Sequence, residues 1–185
     1  MLIGMVVTKT AYCGMTPEEV KKFWDFKPHA EQGNFAAQLI VGMCYYTGEG
    51  VEKDVIQAAS WFRKAADQDY PYAQGMIGYC YQHGEGVEKD EAQAVAWYRK
   101  AADQGNGLAQ LNLGACYAEG LGITKNEIEA YAYWTIAKTK NNKPQENLSI
   151  LEKKLSLNQI AAGQKRAAEL QKEIEAKIAA KKAGR

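Results

Sequence analysis

Cys44, Cys80 and Cys116 stand 36 residues apart, and most of what surrounds them repeats with them. The segments that begin at Asn34, Tyr70 and Asn106 read NFAAQLIVGMCYYTGEGVEKDVIQAASWFRKAADQD, YPYAQGMIGYCYQHGEGVEKDEAQAVAWYRKAADQG and NGLAQLNLGACYAEGLGITKNEIEAYAYWTIAKTKN. The first two agree at roughly 21 of 36 positions. Self-similarity at a period of about 20–50 residues marks a solenoid, in which each unit packs only on its neighbours. The chain is therefore expected to form a short repeat array, and such arrays mostly present surfaces to other proteins.

Each unit reads as two helices. Ala37, Val41, Cys44 and Tyr45 share one helical face. Ala73, Ile77, Cys80 and Tyr81 repeat that face, and Ala109, Leu113, Cys116 and Tyr117 repeat it again. The second helix carries Ala58, Trp61, Phe62, Ala65 and Ala66 at i, i+3, i+4, i+7 and i+8. Gly42, Gly78 and Gly114 fall inside the first helices. An interior glycine costs about 1 kcal/mol relative to alanine, so its recurrence predicts close helix approach. Trp61 and Trp97 are expected to fill the space between helices. In the link G-E-G-V-E-K-D, Gly48 ends the first helix as a left-handed residue. Asp54 with Gln57, Asp90 with Gln93 and Asn126 with Glu129 predict capping boxes for the second helices.

Outside the array, residues 1–15 form an N-terminal extension and 16–33 a capping helix or partial repeat. The three units span 34–69, 70–105 and 106–141, and 142–185 forms a C-terminal helical cap with a basic tail. Thr16, Pro17 and Glu19 announce a helix start, with an end expected near Phe26. Lys27 to Gly33 echo Arg63 to Asp69. A short helix is expected over 142–155, then a last one capped by Ser156 and Gln159 and running to about Lys181. Its stripe of Ile160, Ala167, Leu170, Ile174 and Ile178 offers a coiled-coil seam for self-association; otherwise a monomer is expected. The basic tail reads as a solvated helix end whose lysines complement the helix dipole.

The pattern A-Q-x-x-x-G-x-C-Y-x-x-G-E-G-V-E-K-D-x-x-Q-A-x-x-W-[FY]-R-K-A-A-D-Q resembles the Sel1-like repeat, a relative of the tetratricopeptide repeat with a longer link between its helices. The resemblance covers about residues 25–141. In the third copy Leu121-Gly122-Ile123 replaces E-G-V, Asn126 replaces Asp and Tyr133 replaces Trp. The resemblance implies an all-α fold: a right-handed α-solenoid of Sel1-like helix-pair repeats at a 36-residue period, with helical caps at both ends. It also implies binding of a protein or peptide on the concave face, as a bacterial adaptor or regulator. The alternative it implies is an immunity protein that neutralises a secreted toxin. A second alternative is a cell-wall or β-lactam hydrolase, since some cysteine-rich relatives are described as β-lactamases.

Chemistry finds little foothold in the residues. There is no H-E-x-x-H, S-x-x-K or K-T-G, and His29 and His83 stand alone, so no catalytic residue, metal or cofactor is expected. The glycine link lacks the Gly-Lys-Ser/Thr continuation of a phosphate loop and the alternating oxygens of a calcium loop. Equivalent cysteines in stacked repeats lie about 8–10 Å apart, too far for a disulfide, and are expected to be buried thiols. A formal net charge of +1 supplies no field for nucleic acid. No apolar run approaches the roughly 18 residues of a membrane span. As written, the chain reads as cytoplasmic. Were the apolar patch Leu2 to Val7 the remnant of a signal sequence, it would be periplasmic or secreted.

The repeats agree on their inward face and differ on the opposite side of the first helix. A recognition surface should differ in this way if each unit reads a different part of a ligand. Candidate partner-binding residues are Leu39, Met43, Tyr46, Tyr72, Tyr79, Gln82, His83, Leu111, Asn112 and Ala115. The competing reading of the same residues is packing against neighbouring first helices.

Overall fold

A computed structural model describes residues 15–137 and 143–184. Its helices are α1 (Pro17–Glu31), α2 (Phe35–Thr47), α3 (Val55–Asp67), α4 (Pro71–His83), α5 (Glu91–Ala102), α6 (Gly107–Glu119), α7 (Glu127–Ile136), α8 (Lys143–Glu152) and α9 (Leu157–Ala183). No strand occurs among the described residues. The pairs α2–α3, α4–α5 and α6–α7 are the three repeats, with α1 before them and α8 and α9 after. The sequence extension up to Gly14 and the stretch 138–142 lie outside the described residues.

Packing within each pair is set by one glycine against one ring. A Cβ on Gly42, Gly78 or Gly114 would lie 2.6, 2.8 or 2.5 Å from the ring of Phe62, Tyr98 or Trp134. The ring that fills the gap is therefore the residue after the expected tryptophan. Trp61 instead joins a cluster with Phe23, Val41 and Cys44, and Trp97 joins the next cluster with Phe62 and Ile77. Each tryptophan thus reaches into the preceding unit, and the apolar seam runs along the array without one central core.

The links follow the sequence reading in part. Gly48, Gly84 and Gly120 end their helices in the left-handed region and donate to the carbonyls of Cys44, Cys80 and Cys116. Two residues on, Gly86 has φ +74°, and its Cβ would fall 2.0 Å from the Val55 carbonyl oxygen. Asp54, Asp90 and Asn126 cap their helices with side-chain oxygens, but the expected reciprocal half of the box is missing. The reason is that their own N–H groups already donate to the carbonyls of Tyr45, Tyr81 and Tyr117. Full capping boxes form at Thr16–Glu19 and Ser156–Gln159, where the N–H of Thr16 and of Ser156 donates to the Glu19 and Gln159 side chains.

Two expectations for the ends are corrected. Helix α1 does not stop near Phe26; it runs through Pro28 to Glu31. Phe23 and Ala30, both 1% exposed, hold its two halves in the core, which outweighs the one backbone bond that proline removes. The stripe on α9 is no free coiled-coil seam. Ala167, Leu170 and Ile174 are buried in one cluster with Tyr133, Ile136 and Ala102. The basic tail is engaged as well: Lys177 pairs with Asp103 at 2.8 Å and Lys181 with Asp69 at 2.5 Å. Helix α9 therefore lies back along the array as a strap.

A polar ladder accompanies the apolar seam. Gln38, Gln74 and Gln110 are buried at equivalent positions and donate to the carbonyls of Ala30, Ala66 and Ala102. Gln68 donates to Gln38 Oε1 at 2.8 Å and Gln104 to Gln74 Oε1 at 2.9 Å. Gln110 Oε1 has no hydrogen-bond partner among the described residues. Asp69 sits beside this ladder with φ +62°, where the partial repeat before the array has Gly33 and the second unit Gly105. It accepts from Gln74, Gln104 and Lys181, which holds a non-glycine residue in a conformation that favours glycine.

Candidate functional site

The first helices line one side of the array, and a groove of about 590 Å³ runs along it. Tyr46 of α2, Tyr79 of α4, and Leu111, Asn112 and Ala115 of α6 line it, as the sequence suggested. The structure adds Gly75, Met76 and Leu108, and from α8 Glu146 and Asn147. Met76 and Leu108 share the helical faces of Tyr79 and Leu111, so the i, i+3, i+4 spacing carried a signal for them. Nothing periodic connects α8 to the repeats, and its two residues had no such signal.

The other candidates lie elsewhere. Leu39 is half-buried against the cluster that contains Phe62 and Ile77, so its role is packing. Gln82 accepts the Tyr98 hydroxyl at 2.7 Å and helps seat that ring. Met43 and Tyr72 are exposed but line no part of the groove. His83 is exposed, and its ring lies 4.2 Å from that of Tyr79, at the groove's edge.

Within the groove, the rings of Tyr46 and Tyr79 meet edge to face at 6.4 Å. The hydrogen bond of Tyr46 to Glu85, with added burial and the Tyr79 hydroxyl, raises the Tyr46 pKa far above the usual phenol value. It stays a neutral hydroxyl at any physiological pH. Among the described residues of the lining, Glu146 is the one that carries a charge. A smaller depression of about 270 Å³ continues from Ala115 and Asn147 past Ala118 and Glu119. On another side of the molecule, a cavity of about 430 Å³ lies between α9 and the starts of α2 and α4. Of its charged residues, Lys177 pairs with Asp103 and Lys181 with Asp69, and Lys182 also lines it.

The array cysteines are not poised as nucleophiles. Cys44, Cys80 and Cys116 are buried free thiols. Desolvation pushes Cys80 up to about 12 and Cys116 up to about 11, away from the reactive thiolate. Among the described residues no three His, Cys, Asp or Glu stand together as metal ligands would. No helix among them is long and apolar enough to cross a membrane.

Stacked helix pairs, a shared seam and a groove along the first helices define a helical repeat solenoid. The Sel1 repeat model matches residues 35–70, 71–106 and 107–142, and the chain belongs to the Sel1 repeat family. Among the solved structures similar to the chain are two Sel1-type proteins. One is a protective antigen present in uropathogenic Escherichia coli strains that displays an SLR fold, at 35% identity and TM-score 0.76. The match covers 87% of this chain and 35% of the antigen, so the chain spans about a third of that protein's length. The other is a Sel1 repeat protein from Oxalobacter formigenes, at 34% identity and TM-score 0.61, covering 70% of this chain and 98% of that one. No curated protein matches the chain. Sel1 repeats are generally protein-interaction modules.

Proposed function

We propose that this protein is a non-catalytic interaction module of a bacterial cell, an adaptor or regulator that takes a peptide segment of a protein partner in the groove along α2, α4 and α6. The observation that carries the reading is the groove's lining. It is concave, among the described residues uncharged apart from Glu146, and built from Tyr, Met and Leu side chains at the surface where the repeats differ most. Aromatic and Met residues free of competing charge are what the centres of protein interfaces favour. The two solved structures described above are both from bacteria, which supports the setting.

The test is an affinity pull-down from the native host, wild type beside Tyr79→Glu/Leu108→Glu, read by mass spectrometry. Leu108 is 53% exposed, so its charge does not disturb the fold. Partners lost in the double variant, with melting unchanged, support the reading. A single stoichiometric toxin among them would make the role immunity, and several partners would make it an adaptor. Partners retained in full would refute binding at this groove.

A further inference from the structure

We propose that Gly75 floors a socket in the groove that receives one bulky apolar side chain of a partner segment, and that this segment carries a basic residue beside the anchor. The assignment rests on the groove being the protein-binding surface.

Gly75 has no packing reason to be glycine. It lies inside α4, where glycine costs about 1 kcal/mol relative to alanine. A Cβ there would meet only Asn106 Oδ1, at 3.9 Å, which is ordinary contact. One turn on, Gly78 would clash with Tyr98 at 2.8 Å. Gly42 and Gly114 are pinned in the same way as Gly78, so that series is explained by the fold and Gly75 is not. The equivalent residues in the flanking repeats are Leu39 and Leu111. The middle repeat therefore lacks one leucine side chain in a row of leucines, and the missing volume opens into the groove. Met76, Tyr79, Leu108 and Leu111 line the groove around it. An apolar wall with a side-chain-sized notch fits an anchor of Leu, Phe or Trp size and leaves a polar side chain without hydrogen-bond partners.

The flanking charge defines the rest of the occupant. Glu146 borders the groove, and Glu119 the depression that continues it. Neither forms an ion pair among the described residues. Lys125, which also lines that depression, is already paired with Glu127 at 3.3 Å; Lys154 is its other cation. Among the described residues the two depressions carry Glu119, Glu127 and Glu146 against Lys125 and Lys154, an acidic balance that a basic flank would complement.

The experiment is selection of phage-displayed random twelve-residue peptides on the full chain, with the winners synthesised and measured by fluorescence anisotropy. The expected winners share one Leu, Phe, Trp or Met anchor with Lys or Arg close to it. Gly75→Leu, which supplies the side chain its neighbours already have, should weaken them at least about tenfold, or roughly 1.4 kcal/mol. Gly75→Ala should weaken them less and Glu146→Lys should also weaken them, while circular dichroism and Tm show both Gly75 variants folded. Winners lost to Tyr79→Glu but unaffected by Gly75→Leu would overturn the socket and keep the surface. Winners indifferent to both would overturn the surface itself, as would a failure to enrich any peptide. An acidic consensus would overturn the assigned partner chemistry. A dimer in light scattering that Gly75→Leu dissolves would make the occupant a second copy and overturn the assignment to a partner.

Discussion

Gln104 donates its side-chain amide to Gln74 Oε1 at 2.9 Å, so two glutamines 30 residues apart tie together the two ends of the middle repeat. Gln74 also donates to Ala66 and Asp69, which makes it the best-connected rung of the buried ladder. Replacing it with leucine removes the whole set and should cost about 1–3 kcal/mol. Gln110→Leu removes only the bond to Ala102 and should cost about 0.5–1.5 kcal/mol. Urea unfolding of the two variants side by side checks the order.

Two glycines on α4 should respond to alanine with opposite sign. At Gly78 the new methyl meets Tyr98 at 2.8 Å and Ala94 O at 3.3 Å, and overpacking of this kind costs about 1–3 kcal/mol. At Gly75 the same methyl has room, and relief of glycine's helix penalty should stabilise by about 0.4–1 kcal/mol. Thermal melts of Gly75→Ala and Gly78→Ala on either side of wild type are the expected result.

Acid should loosen the tip of α9. Burial raises the Asp69 carboxyl, but its bonds with Lys181, Gln74 and Gln104 outweigh that and hold it below the usual aspartate range. A carboxyl lowered in the folded state contributes stability above its unfolded pKa, and loses it as pH falls through the folded value. Below about pH 4 the unfolded chain binds the extra proton more readily, so Tm should fall. Asp69→Asn, which tolerates the left-handed backbone, should lower Tm slightly at pH 7 and flatten this part of the acid slope. Melting curves between pH 3 and 7 read both effects.

The array thiols should report on unfolding. In a Cys13→Ser background, Cys44, Cys80 and Cys116 should resist a disulfide reagent at pH 8, since burial keeps them protonated. Labelling should proceed only as fast as the array opens, and should become rapid in denaturant. Fast labelling of the native protein would contradict the buried placement.

Much of this fold could be read from the chain because a repeat writes each rule three times. One Gly48 at a helix end is a suggestion, but Gly48, Gly84 and Gly120 are a pattern. Features that break the period were harder to see. Helix α1 continues through Pro28 because tertiary burial of Ala30 overrides a local stop signal. The capping boxes are half-made because Tyr45, Tyr81 and Tyr117 take the N–H that a local rule assumes is free. The stripe on α9 was visible, but its partner on α7 lies across the fold and no local pattern names it. Five of the candidate groove residues face the groove, while Leu39 and Gln82 are drawn into packing by neighbours in the next helix. Gly75 is the hardest case, because its significance lies in a side chain that is absent.

The strap formed by α9 alters how the molecule must come apart. A simple repeat array holds only nearest-neighbour contacts, so its end units fray independently and folding can spread from any point. Here Lys181 meets Gln104 across 77 residues of chain and reaches Asp69 in the first repeat. The last helix closes a long loop over the middle of the array, so a unit near the C-terminus cannot fray without releasing contacts two repeats away. Such closure should trade part of the modularity of the units for a more cooperative melting transition, with slower folding from the long-range contact.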